Sequence, residues 1–203
     1  MKSLSNYIQE GVLDPNNINT MDAAALHVEM EQFAGAPEIK ENTRSNTTHI
    51  YWNFKVEKQF KKYQKSLEQG YINAISRSPR YDDERDRQYD IKAWQNDPYT
   101  FSDITLSLDQ FGTCPPTVMI SFTGYDPKVT NSTDGYKGIW HDTAIAISIP
   151  NPERKHFKTE ELLNIGYSIL SKIKHKTSKF MKYVSAHWCV VNEYVPYNEF
   201  IKI

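Results

Sequence analysis

Between Ile50 and Ile173 the spacing of apolar residues switches repeatedly between two periods, and the order of those switches restricts the chain to few folds. Ile50, Trp52, Phe54 and Val56 alternate strictly, the mark of a strand buried on one face. Phe60, Tyr63, Leu67, Tyr71 and Ile75 then recur at three and four with Lys and Glu between them, which predicts a helix laid on a sheet by one stripe. Ile104, Leu106 and Leu108, then Val118, Ile120 and Phe122, alternate on either side of Gly112 and Pro115-Pro116 and predict a hairpin. A strand from Trp140 to Ile149 is expected to turn Ile145, Ile147 and Ile149 inward and to end at Pro150 and Pro152. Thr159 is expected to cap a helix buried through Leu162, Ile165, Ile169 and Ile173, and an extended stretch from Val184 to Val195 closes the pattern. The order β-α-β-β-β-α-β predicts an α+β fold, an antiparallel or mixed sheet with two covering helices.

Ahead of this body the pattern changes. Leu4, Tyr7 and Ile8 fall at helical spacing in a segment too short to be a stable helix alone, and Thr20 can open a second helix that stops at Gly35 and Pro37. Residues 38–48 are polar and aperiodic. They predict a linker, which divides the chain into a helical docking arm at 1–37 and a globular domain at 49–203. On this reading Leu4, Tyr7 and Ile8 anchor the arm, and removal of residues 1–35 leaves a folded body.

Composition narrows the function classes. The formal net charge is -1, so no overall field recruits nucleic acid or an anionic membrane. No apolar run reaches the roughly 20 residues that span a bilayer, and the expected location is the cytoplasm of a bacterial host cell, or a virion. Cys114 and Cys189 are too few for a disulfide framework and are expected to be reduced, buried thiols. No cofactor or metal is expected, a protein partner is, and oligomeric state is left open.

The phosphate-cradling and common hydrolase motifs are absent, and eight glycines scattered in turns do not replace them. Two H-x-T triplets stand out, His141 with Thr143 and His175 with Thr177, because two-histidine phosphoesterases place paired imidazoles around a phosphate with this pattern. His175, however, ends a lysine-rich helix, where an imidazolium simply favours the negative terminus. Asp82, Asp83, Glu84 and Asp86 could ligate a hard cation, but interleaved arginines make a self-neutralising loop the plainer reading. The basic residues between Arg154 and Lys182 lack the aromatic groove that would make them a nucleic-acid site. Two long loops, 76–90 and 124–138, carry interface chemistry: Arg80, Tyr81, Arg85, Arg87 and Tyr89 in one, Tyr125, Asp126, Asp134 and Tyr136 in the other.

The opening Met1-Lys2-Ser3, followed by Tyr7-Ile8 and Glu10-Gly11, resembles the N-terminal leader of internal virion proteins of T-even-type phages, with Gly11 where that leader has Ala. The resemblance covers about a dozen residues and implies docking into an assembling phage head. The body, through Tyr51-Trp52, Trp94, the run Ile104 to Leu108 and the stretch Val118 to Gly124, is similar to immunity proteins of polymorphic toxins, which implies occlusion of a nuclease. The expected function is therefore non-enzymatic protein binding within a larger assembly, with toxin inhibition and then phosphodiester cleavage as the alternatives.

Overall fold

The computed structural model describes residues 20–55, 60, 62–78, 83–96, 100–125, 139–189 and 194–203. These residues form an α+β fold built on one six-stranded sheet in the order β1-β2-β3-β4-β5-β6. The strands are β1 Glu38–Asn42, β2 Thr47–Lys55, β3 Thr100–Phe111, β4 Thr117–Tyr125, β5 Ile139–Ser148 and the short β6 Val195–Pro196. Sequential neighbours pair antiparallel from β1 to β5, and β6 joins β5 in parallel. The helices are α1 Thr20–Ala34, α2 Gln64–Arg77, α3 Glu84–Asn96, α4 Thr159–His175, α5 Thr177–Ala186 and the single turn α6 Tyr197–Phe200. Among the described residues, no helix is long and apolar enough to cross a membrane.

The alternation read from the sequence sets the inner face. Ile50, Trp52 and Phe54, Ile104, Leu106 and Leu108, Val118, Ile120 and Phe122, and Ile145 and Ile147 are all buried, as is the α4 stripe of Leu162, Ile165, Ile169 and Ile173. α1 and α4 cover the β2 end of this face, while Trp188, just after α5, stacks on Phe122 at 6.0 Å and receives the edge of Tyr71 from α2. A register shift between Ile120 and Ser121 skips Ala144, so that Ser121 faces Thr143 and the alternation of β5 changes phase.

Four stretches differ from expectation. The expected linker at 38–48 is strand β1 and the turn into β2. Asn42 Oδ1 accepts the backbone N–H groups of Arg44 and Ser45, and Asn46 takes positive φ, so the polar residues close a tight turn. The second helix of the expected arm belongs to the core, with Leu26 and Met30 buried against α4, so removing residues 1–35 would open that core. Its end at Gly35 is as read, with φ +81 and the Gly35 N–H on the Glu31 carbonyl. Within 76–90, residues 84–90 are helical, because the interleaved charges pair locally: Arg87 donates to Glu84 at 2.8 Å, Gln88 donates to Glu84, and Ile91 is buried. Finally, the first part of the extended stretch at 184–195 is the end of α5, whose Phe180, Met181 and Val184 are buried at helical spacing.

The cap of α4 also differs. Lys158 holds the cap position, its N–H bound by Glu161 Oε2 at 2.8 Å, and the Thr159 hydroxyl instead donates to Glu41 of β1. The two cysteines are not joined in a disulfide, and Cys114 is exposed and Cys189 half-buried rather than buried.

Candidate functional site

The outer face of the sheet is set by the other half of each alternation. Cross-strand partners point to the same side, so the register arranges it in rows: Thr47 with Phe111, His49 with Asp109, Tyr51 with Ser107, Asn53 with Thr105, and Lys55 with Asp103. β1 extends these rows through Glu38 beside Tyr51 and Lys40 beside His49. The β1–β2 part of this face is open, with Tyr51 38% and Phe111 53% exposed, whereas Thr105 and Ser121 nearer the sheet centre are buried.

At the centre of the open part, the His49 Nδ1–H donates to Asp109 Oδ1 at 2.7 Å, and Phe111 stands edge-on to the imidazole with centroids 5.5 Å apart. The carboxylate is mostly shielded and fixes the ring, leaving Nε2 as the outward nitrogen. Among the described residues no hydroxyl or thiol hydrogen-bonds that nitrogen, and no group of His, Cys, Asp and Glu is arranged to hold a metal ion. A second pair, Lys55 with Asp103 at 2.8 Å, and a third, Lys40 with Glu38 at 2.8 Å, keep the face close to neutral. Two aromatic rings flanking an oriented polar pair can stack and accept hydrogen bonds; they lack the cationic excess that phosphate backbones require.

The residues picked out from sequence are only partly brought together. Leu4, Tyr7, Ile8, Arg80, Tyr81, Asp126, Asp134 and Tyr136 lie outside the described residues, as do the side chains of Tyr125 and His141. Arg85, Arg87 and Tyr89 sit on α3. Asp83 caps that helix through the Arg85 N–H, Arg87 is tied to Glu84 and to the Ser78 carbonyl at the end of α2, and Tyr89 is 74% exposed. Thr143 lies 3.4 Å from Ser121 across the strands. His175 Nε2 lies 2.8 Å from Glu29 of α1, and the Thr177 hydroxyl donates to the carbonyls of Ile173 and Lys174 at the α4–α5 junction. The second H-x-T triplet thus links α1, α4 and α5.

Among the described residues, clefts also lie elsewhere. One of about 400 Å³ has a floor of Ile149, Phe157, Ile165 and Tyr197, but its cation Lys155 is paired with Glu161 at 2.9 Å and sits over the Phe157 ring. Another, about 480 Å³, lies between Arg77, His187, Tyr194 and Glu199. His49, Phe111 and Asp109 are not singled out by the sequence and Tyr51 enters only through the resemblance of the body, although the odd-numbered positions of β2 carry the signal: a Tyr and a His stand where an exposed strand face ordinarily carries plain polar residues. Compared with known proteins, the chain matches no family model, no curated protein and no solved structure.

Proposed function

We propose that this chain is a non-enzymatic protein-binding protein, a component of a larger assembly, and that the open part of its outer sheet face is a contact surface. The observation that carries this reading is the exposure of Tyr51 and Phe111 on either side of the His49–Asp109 pair. Aromatic rings on strands have little conformational freedom left to lose on binding, and such residues concentrate interface energy. The absence of a cationic excess there favours a protein partner over nucleic acid. The phage-type leader resemblance supports a virion as the assembly, with Leu4, Tyr7 and Ile8 as its anchor. With the helix at 20–34 in the core, only the residues before it are available for that role.

The test is a photo-crosslinking residue in place of Tyr51, in the cells that make the protein. One discrete protein adduct is expected, lost when Phe111→Asp is added. A crosslinker in place of Tyr89 on α3 serves as the control. No adduct from position 51, or the same adducts from both positions, would overturn the reading.

A further inference from the structure

β1 is a terminal strand, all five of its residues are exposed, and among the described residues no strand pairs with its outer side. Glu38, Lys40 and Asn42 point to the outer face, beside Tyr51, His49 and Thr47, while Ile39 and Glu41 point to the helix side. Edge strands carry charge to prevent indiscriminate pairing, but a mixed pattern does not oppose every register equally.

We propose that β1 pairs antiparallel with β1 of a second copy about a twofold axis through Ile39. In this register Ile39 faces Ile39, and Lys40 faces Glu38 of the other copy twice by symmetry. The two Lys40–Glu38 pairs within the strands, each 2.8 Å, become one cluster of alternating charge. Ile39, 42% exposed in the single chain, covers its own counterpart. Moving the axis to Lys40 sets the two Lys40 ammonium groups opposite each other and Ile39 against Glu41. Moving it between Ile39 and Lys40 sets Glu38 against Glu41 twice. Of the registers that keep the outer faces of both copies on one side, those centred on Glu38, Lys40 or Glu41 set that residue against its own like-charged counterpart, and the one centred on Ile39 opposes no like charges, so charge favours it among them. Glu41 does not interfere, because it faces Pro37 at the end of the pairing and accepts the Thr159 hydroxyl on its own chain. The dimer continues the sheet from β1 into β1 and keeps the helices of both copies on one side.

Sedimentation equilibrium of the full chain is expected to show a reversible monomer–dimer equilibrium. Lys40→Glu and Glu38→Lys each replace two attractive oppositions with two repulsive ones and should weaken the dimer about ten- to hundredfold. An equimolar mixture of the two variants should dimerise again, since the acids of one edge then meet the lysines of the other. Circular dichroism checks that both variants, altered only at exposed positions, remain folded. In a Cys114→Ser background, Ile39→Cys should form a disulfide-linked dimer under mild oxidation and Glu41→Cys should not. A wild-type chain that stays monomeric up to about 1 mM, dimerisation unaffected by either charge variant, or no recovery in the mixture would each overturn the proposal.

Discussion

Gly166 of α4 lies against the six-membered ring of Trp52 so closely that a Cβ on it would fall 2.3 Å from Cη2 and 2.7 Å from Cζ3 of the indole. Trp52 is buried, with Tyr167 edge-on at 5.5 Å, so it has no room to withdraw. Gly166→Ala would gain about 1 kcal/mol of helix propensity in an open helix. Here the overpacking outweighs that gain, and a net loss of about 2 kcal/mol is expected in urea unfolding. Adding Trp52→Leu should cost less in the Gly166→Ala background than in the wild type; equal costs in both would refute the contact.

The helix α1 is expected to behave as core. Leu26→Ala should destabilise by about 2–5 kcal/mol, the usual cost of emptying a buried leucine site. Removal of residues 20–34 should abolish cooperative unfolding, as measured by calorimetry. A cooperative transition without those residues would restore the idea of a separable arm.

Glu29 joins α1 to α4 by accepting from Lys174 at 2.9 Å and lying 2.8 Å from His175 Nε2. Burial pushes its carboxyl upward, but the Lys174 hydrogen bond and the charges of His175 and Lys174 outweigh this and hold it below the ordinary value of 4.5. A carboxylate lowered in the folded state stabilises above the unfolded pKa and loses that contribution as pH falls through the folded one. Glu29→Gln should therefore cost about 1 kcal/mol at neutral pH. Denaturant midpoints of variant and wild type should converge on acidification; a constant difference down to the lowest pH at which both fold would contradict the pairing.

Lys172 is buried on α4 and donates to the Ile201 carbonyl at 2.6 Å. Burial, and then the charges of Lys176 and Lys179, lower its pKa from 10.5 to about 8. The unfolded chain thus binds more protons between those values, and stability should rise with pH across that window. Lys172→Met should flatten this rise, with the largest gain over wild type at neutral pH, on the order of 1 kcal/mol after loss of the Ile201 contact. A rise of the same slope in the variant would show that another group causes it.

On the outer face, Tyr51→Ala with Phe111→Ala is expected to change stability by less than about 1 kcal/mol, because both rings are substantially exposed, while removing the position-51 contact. Thermal unfolding provides the measurement. A large loss of stability would make the two rings part of the fold instead of a contact surface.

The periods of Ile50 to Phe54, Ile104 to Leu108, Val118 to Phe122 and Leu162 to Ile173 were sufficient to read the strands, the long helices and the buried side of each. Burial of one face imposes its period on the residues directly, whatever lies opposite. Where local charge pairing or a single turn decides the structure, as in α3 and at Asn42 to Asn46, composition pointed to loops because the favourable contacts are i,i+3, i,i+4 and side chain to backbone. The position of α1 in the core was not readable from its own residues, since its narrow stripe of Leu26 and Met30 has meaning only once α4 supplies the opposing surface. The same holds for the candidate site. His49 and Asp109 are 60 positions apart, and only the β2–β3 register makes them neighbours. The sequence by itself determined which residues must leave water; which exposed residues meet one another was decided by strand register and helix docking, the long-range pairings that a one-dimensional pattern does not encode.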